Sequence, residues 1–187
     1  GVSDAINFGM NSLPPEVEIV NWLGDDDVLT KNSLASALEV FTSDNQTVMV
    51  FGSCNYIDAL GEIIWTNHSG QWAVPLLRFG PDLIPQPGAL FRRSAFERVG
   101  GLSSDFDWAF DFDLFIRLSK LGRVKHIKQT LASFRWHPES LSVEHRKKSV
   151  AEASAVRLRH LPRLLRPIST VWEFPVKQAT LLSLIHI

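Results

Sequence analysis

The amino-acid sequence predicts an α/β fold, and three of its patterns support that prediction. Residues 18–23 are mostly apolar and end at Gly24, which is typical of a buried strand. Two further apolar runs, 48–52 and 62–65, flank the turn-forming residues 58–61 and predict a hairpin. Between the first strand and this hairpin, apolar residues recur on one face of a predicted helix, at Leu34, Ala37, Leu38 and Phe41.

The remaining elements follow from the same kinds of signal. Residues 3–10 have helical spacing, and the prolines after Leu13 end that helix. Residues 92–99 predict a short helix that Gly100 and Gly101 terminate. Another helix is predicted to begin at Asp111. Thr30 is the expected N-cap of the helix that carries Leu34, Ala37, Leu38 and Phe41. Two late strands are predicted, 124–127 and 130–135.

Composition limits the classes of protein that this chain can represent. Hydrophobic residues make up 45% and charged residues 21% of its 187 residues, which excludes a disordered tail and a membrane bundle. The formal net charge of −1 provides no overall field for nucleic acid, so no nucleic-acid partner is expected. The single cysteine, Cys54, excludes an internal disulfide and favours a reducing, cytoplasmic location.

Three consecutive aspartates, Asp25, Asp26 and Asp27, follow the first predicted strand. Like charges this close disfavour joint ionisation unless a cation or hydrogen-bond donors offset them. Carboxylate oxygens suit Mg²⁺ or Mn²⁺, and α/β sheets bind ligands at the carboxyl ends of strands. The alternative is a solvated acidic turn that leads into the next helix.

A second candidate is Asp111, which shares a helical face with Leu114 and Leu118. Its carboxylate is therefore expected to point toward packed structure, while Asp113 turns away. Neighbouring aromatic residues would raise the pKa of Asp111 by desolvation, which suits a general base. The alternative is that Asp111 only caps its helix.

Two features lie toward the C-terminal end. His137 follows a predicted strand and precedes a proline, so it is a candidate metal ligand or phosphate contact, with Arg135 as an anion partner. A hydrogen-bonded surface histidine is the alternative. Residues 146–167 predict a basic amphipathic helix that either lies on an anionic membrane or packs on the preceding domain.

Taken in order, these motifs resemble the family 2 glycosyltransferases, which have the GT-A (nucleotide-diphospho-sugar transferase) fold. The resemblance covers about residues 1–145 and implies a mixed sheet flanked by helices, Rossmann-like, with a helical tail over 146–187. Its motifs are A-x-N-x-G at residues 5–9, a DxD-like acidic loop at 22–27, and the segments 84–93, 96–102, 111–117 and 134–142.

The resemblance implies an inverting transfer of a sugar from a nucleotide-diphospho-sugar to a hydroxyl of a saccharide or lipid-linked acceptor, in cell-envelope polysaccharide biosynthesis. Asp111 is the implied general base. Mn²⁺ or Mg²⁺ is the implied cofactor, with Asp25, Asp27 and His137 as metal ligands. The implied donor-binding residues are Asn7, Asp26, Gln86, Arg93 and Arg135.

The sequence also departs from the family pattern. Gly24 stands where the family usually has its first aspartate, and Phe110 stands where an acidic residue is common. The family's first strands, which hold the base of the nucleotide, are expected to be missing. Peripheral membrane contact through 146–167 would suit a lipid-linked acceptor. Two alternative functions are a noncatalytic nucleotide-sugar or carbohydrate-binding remnant and a metal-dependent phosphoesterase.

Overall fold

A computed structural model describes residues 1–136 and 146–183 of the chain. Its strands are β1 (Ile19–Val20), β2 (Val28–Leu29), β3 (Thr47–Ile57), β4 (Ile63–Asn67), β5 (Leu90–Arg92) and β6 (Arg123–Arg135). Its helices are α1 (Val2–Asn11), α2 (Ser33–Ser43), α3 (Ala73–Leu76), α4 (Arg93–Arg98), α5 (Phe110–Leu118), α6 (Arg146–His160) and α7 (Thr170–Ser183). A 3₁₀ helix, Arg163–Ile168, lies between the last two.

The six strands form one mixed sheet in the order β1-β5-β3-β6-β2, with β4 paired to β3. The two long strands, β3 and β6, run parallel, and the other pairs are antiparallel. The prediction of a mixed α/β sheet flanked by helices is confirmed. The carboxyl ends of β3 and β6 therefore meet at one edge of the sheet, where such folds bind ligands.

The central strand β3 packs on both of its faces. Met49 and Phe51 belong to the main core with α5, whereas Val50 packs against Ala37 and Phe41 of α2. Successive side chains of a strand point to opposite faces, so this alternation places a helix on each side of the sheet. Because both faces are covered, residues 48–51 of the strand are apolar without alternation.

The hairpin predicted around 58–61 is confirmed, since β3 and β4 pair antiparallel. Asp58 Oδ1 accepts hydrogen bonds from the backbone N–H groups of Leu60 (2.8 Å) and Glu62 (2.9 Å). Gly61 has φ +90°, a conformation that glycine adopts without the strain a Cβ would add. The sequence therefore specifies this turn through a short polar side chain and a glycine.

Three expectations about elements were wrong. The two late strands are one continuous strand, β6, which tolerates register irregularities against β3. The N-cap of α2 is Asn32, at φ +65°, because the hydroxyl of Thr30 instead donates to the carbonyl of Thr130 on β6. On the predicted apolar stripe of α2, Leu34 and Leu38 are exposed.

The C-terminal segment packs on the rest of the chain. Val156 of α6 is fully buried in the main core, and Arg157 is 1% exposed. The guanidinium of Arg157 donates to both carboxylate oxygens of Glu173 on α7, at 2.7 and 2.9 Å. Part of the positive charge of the tail is therefore buried. No helix in the described residues has the length and apolarity to cross a membrane.

Candidate active site

A cavity of about 320 Å³ opens at the carboxyl ends of β3 and β6, beside the start of α5. Aromatic and aliphatic side chains form most of its walls, with three carboxyl groups, two amides and one hydroxyl among them. The aromatic residues are Trp22, Tyr56, Trp108, Phe110, Phe134 and Trp136. The polar residues are Asn67, Asp82, Gln86, Asp107, Asp111 and Ser149.

The sheet places the aromatic rings. Tyr56 on β3 is the register partner of Phe134 on β6, and their rings meet edge to face with centroids 5.4 Å apart. Trp22 follows β1 and contacts Phe110 of α5, with centroids 6.2 Å apart. Aromatic faces of this kind stack on the apolar faces of ring-shaped ligands. The cavity therefore suits a flat ligand that carries polar groups at its rim.

Asp111 is the second residue of α5 and faces this cavity. Burial raises its pKa to about 6, although hydrogen bonds from backbone N–H groups, including that of Phe112 at 2.8 Å, act in the opposite direction. This upward shift in the pKa of Asp111 has the direction that the sequence predicts. A carboxylate with this pKa is largely ionised at neutral pH and is still basic enough to accept a proton.

The expectation that Asp113 turns away from packed structure was wrong, since its side chain is 1% exposed. Asp113 accepts from Arg117 Nε at 2.7 Å and pairs with His160 Nε2 at 2.7 Å. The physical reason is α6, which covers this face of α5 and supplies His160. Helical periodicity within α5 carries no information about that later helix.

Asp82 is the carboxyl group that the sequence analysis missed. It lies in the proline-rich loop, residues 81–87, and its Oδ1 accepts from the backbone N–H of Ile84 at 3.2 Å. Burial and the nearby charge of Asp111 together raise its pKa well above the ordinary value. The only sequence signal is its position between Pro81 and Pro85, in a loop whose shape the prolines restrict.

Gln86, which the resemblance implies is a donor-binding residue, lies on the wall of the cavity. Its Nε2 donates to the carbonyl of Trp22 at 2.7 Å. Asn21 donates from one amide to the carbonyls of Pro87 and Ala89, both at 2.9 Å. These bonds attach the proline-rich loop to the chain that follows β1.

The acidic loop lies beside the same edge of the sheet. Asp27 Oδ1 accepts from the backbone N–H of Arg135 at 3.0 Å, and burial raises the pKa of Asp27. A Cβ at Gly24 would lie 2.9 Å from Asp27 Oδ2 and 3.1 Å from Asp26 Oδ1. The two carboxylates therefore converge on the space that the missing side chain of Gly24 leaves open, whereas Asp25 is exposed.

This arrangement fits part of a divalent-metal site. Asp26 and Asp27 contribute two convergent hard oxygen donors, which Mn²⁺ and Mg²⁺ prefer. Over residues 1–136 and 146–183, no three His, Cys, Asp or Glu side chains gather as a complete ligand set. His137, the third predicted ligand, lies outside the described residues.

Three predicted donor-binding residues make contacts within the protein instead. The amide of Asn7 exchanges two hydrogen bonds with the backbone of Leu102, at 2.9 and 2.8 Å. Arg93 pairs with Glu97 at 2.8 Å and lines a separate depression. Arg135 donates to the carbonyls of Asp26 (3.1 Å) and Asp58 (2.7 Å), among others. Arg135 therefore holds the acidic loop, while the side chains of Asn7 and Arg93 are directed elsewhere.

Comparison with known proteins finds a relative with a similar sequence and several solved structures with a similar fold. No protein-family model matches the chain. The O-antigen biosynthesis protein RfbC of Myxococcus xanthus is 29% identical over 115 residues, which are 61% of this chain and 9% of RfbC. This chain therefore corresponds to a small part of that relative.

Solved structures show the same fold. The mannosyltransferase PcManGT of Pyrobaculum calidifontis, in complex with GDP-Man and Mn²⁺, matches with a TM-score of 0.56 and 17% identity, over 98% of this chain and 54% of that one. Residues 1–349 of TarS from S. aureus match with a TM-score of 0.57 and 12% identity, over 89% of this chain and 48% of that one. The chain has a GT-A-like glycosyltransferase fold and spans about half the length of these neighbours.

Proposed function

We propose that this chain is part of the catalytic domain of an inverting, metal-assisted family 2 glycosyltransferase that uses a nucleotide-diphospho-sugar donor. The observation that carries the proposal is Asp111, a carboxyl with a pKa of about 6 on the wall of an aromatic cavity. The GT-A-like fold and the mannosyltransferase neighbour with GDP-Man and Mn²⁺ support a nucleotide-sugar donor.

The cavity suits the acceptor. The rings of Trp108, Trp136 and Tyr56 offer stacking surfaces to a saccharide, and Asp111 accepts the proton of the attacking hydroxyl. The oxygen of that hydroxyl forms a bond to the anomeric carbon as the bond to the diphosphate oxygen breaks. Asp82 lines the same cavity, and burial and the nearby charge of Asp111 raise its pKa well above the ordinary value.

Asp26 and Asp27 are the residues that would hold the divalent ion, over Gly24. When bound, the ion offsets the negative charge that develops on the departing nucleoside diphosphate. Asp25 and His137 remain proposed ligands from the sequence. Asn7 and Arg93 also remain proposed donor-binding residues from the sequence, and their polar groups bind Leu102 and Glu97.

The similarity to RfbC supports an acceptor of the polysaccharide type. A lipid-linked acceptor and peripheral membrane contact through 146–167 are also part of the proposal. In that segment Lys147, Lys148 and Arg163 are exposed, so they are the cations that would face anionic lipid. Arg157 would take no part, because it is buried against Glu173.

The test is Asp111→Asn in the full-length protein, assayed with a panel of nucleotide-diphospho-sugars and Mn²⁺. The variant is expected to lose transfer and to keep Mn²⁺-dependent binding of the nucleoside diphosphate, because Asp111 contacts the acceptor. Asp4→Asn, an exposed carboxylate on α1, is the matched control and should keep full activity. Retained transfer by the Asp111 variant would overturn the assignment of the base.

The same assay separates the enzyme from a noncatalytic remnant. If the wild-type protein binds a nucleoside diphosphate with Mn²⁺ by calorimetry but releases or transfers no sugar from any donor, the binding-remnant alternative is correct. Hydrolysis of a generic phosphodiester would instead support the phosphoesterase alternative.

A further inference from the structure

Glu152 of α6 accepts hydrogen bonds from three consecutive backbone N–H groups. Its Oε1 accepts from Asp107 at 3.2 Å, and its Oε2 accepts from Trp108 at 2.8 Å and from Ala109 at 3.1 Å. These groups immediately precede α5, where N–H groups have no partner within their own helix. A carboxylate at this end of a helix is also stabilised by the helix dipole.

The same three residues form part of the candidate active site. Asp107 and Trp108 line the cavity, and Ala109 is the N-cap of the helix whose second residue is Asp111. Ser149 of α6, close to one turn before Glu152, also lines the cavity. One side chain from α6 therefore fixes both a wall of the cavity and the start of the helix that carries Asp111.

A second contact joins the same two helices at the far end of α6. His160 Nε2 lies 2.7 Å from Asp113 Oδ1, on the turn of α5 that begins at Asp111. The two contacts are eight residues apart on α6, between Glu152 and His160, and they hold α5 along its first turn. The orientation of Asp111 thus depends on a helix from the C-terminal segment.

We propose that Glu152 is a positioning residue for Asp111, and that α6 is a structural part of the active site. This inference deepens the proposed function and rests on it for its catalytic consequence. The proposal also has a structural half, which does not depend on any activity. Glu152 orders residues 107–109 and keeps Asp111 desolvated.

The pKa of Asp111 reports on the order of residues 107–109, and three titratable groups face Asp111. Asp82 faces it from the proline-rich loop, Tyr56 from β3, and Asp107 from the segment before α5. Burial is the largest cause of its raised pKa. If the segment 107–109 loosens, water reaches Asp111 and its pKa falls toward the ordinary value.

The experiment compares wild type with Glu152→Gln and Glu152→Ala. Amide hydrogen exchange at 107–109 is expected to accelerate at least tenfold in Glu152→Ala, and the ¹³Cγ titration of Asp111 is expected to shift to lower pH. Glu152→Gln keeps one acceptor oxygen and should be intermediate in exchange. Glu39→Gln, an exposed glutamate on α2, is the control and should match wild type in both measurements.

For transfer, kcat of Glu152→Ala is expected to fall about 100-fold with little change in the KM for the donor, because the base is misplaced. The acid limb of the pH–rate profile should move to lower pH, which a general loss of stability would not cause. Unchanged exchange and an unchanged Asp111 titration in a folded Glu152→Ala protein would overturn the positioning role. If the wild-type protein transfers no sugar, the proposed function is refuted. The hydrogen-exchange data would still decide whether Glu152 orders residues 107–109.

Discussion

Asp82 and Asp111 line one cavity from two different segments, and the charge of Asp111, together with burial, raises the pKa of Asp82. The pKa of Asp111 is itself raised to about 6 by burial. Two buried carboxyls with raised pKa values in one cavity are typical of sites that carry out acid–base chemistry.

The first prediction concerns this pair. Asp111→Asn removes the negative charge that opposes ionisation of Asp82, so the pKa of Asp82 is expected to fall in the variant. The measurement is a ¹³Cγ NMR titration of the aspartates in wild type and variant. Burial of Asp82 is unchanged by the substitution, so its pKa should stay above the ordinary value. An Asp82 titration that does not move would show that the two carboxyls are not in electrostatic contact.

The second prediction concerns Gly24. A Cβ at this position would lie 2.9 Å from Asp27 Oδ2, closer than real Cβ atoms approach a neighbour, and 3.1 Å from Asp26 Oδ1, which is a tight contact. Gly24→Ala is therefore expected to separate the two carboxylates and to weaken Mn²⁺ binding about tenfold. Calorimetric titration of Mn²⁺, alone and with each member of a panel of nucleoside diphosphates, measures the effect.

Gly9→Ala is the matched control for this substitution, because a Cβ at Gly9 in α1 meets nothing within 4 Å. It should leave Mn²⁺ affinity unchanged and stabilise α1 by up to about 1 kcal/mol, since alanine favours helix more than glycine does. Equal Mn²⁺ affinity in the two alanine variants would mean that the carboxylates over Gly24 do not hold the ion.

The elements that the sequence predicted correctly depend on short-range signals. The hairpin between β3 and β4 depends on Asp58 and Gly61, which act on residues within four positions of themselves. The stop after α4 depends on Gly100 and Gly101, at φ +84° and +73°. Local chemistry was sufficient in both cases. The upward shift in the pKa of Asp111 agrees with the prediction from its aromatic neighbours, but residues of distant segments also line the cavity that it faces.

The features that were missed all depend on contacts between distant segments. Asp113 is buried because His160 lies 47 positions further along the chain and packs against it. Glu152 binds backbone groups 43 to 45 residues earlier, and nothing in the spacing of α6 indicates an acceptor there. Arg135 matches a phosphate-binding pattern, yet its guanidinium binds carbonyl groups of the Asp26 and Asp58 loops. Sequence patterns identify residue types, whereas their partners are set by packing.

The third prediction concerns the buried ion pair between Arg157 and Glu173. Arg157 is 1% exposed and also donates to Ser154 Oγ at 3.0 Å. Arg157→Ala is expected to lower the free energy of unfolding by about 3–5 kcal/mol, because it removes the guanidinium that forms two hydrogen bonds with the buried Glu173 carboxylate. Urea unfolding measures the loss.

A double variant separates the ion pair from simple packing. Arg157→Met combined with Glu173→Leu removes both charges and keeps most of the volume, so it should be more stable than Arg157→Ala by at least about 2 kcal/mol. If the double variant is as unstable as the single one, the loss comes from the smaller side-chain volume and not from breaking the ion pair.

The fourth prediction is a pH dependence of stability that belongs to Asp113. Burial disfavours its ionised form, but hydrogen bonds and charge from His160 and Arg117 outweigh burial, and the pKa of Asp113 is lowered. A carboxyl whose pKa is lower in the folded state stabilises the fold above its unfolded pKa, and that contribution disappears as the pH falls through the folded pKa. Asp113→Asn is therefore expected to be less stable than wild type at pH 7, with a difference that narrows below pH about 4.

Thermal unfolding of both proteins from pH 7 to pH 3 measures this difference in stability. Asp44 also has a lowered pKa, because of ion pairs with Lys125 and Arg123. Its contribution is the same in both proteins, so the comparison removes it. A difference in stability that stays constant over this range would mean that Asp113 makes its contribution through packing and not through its charge.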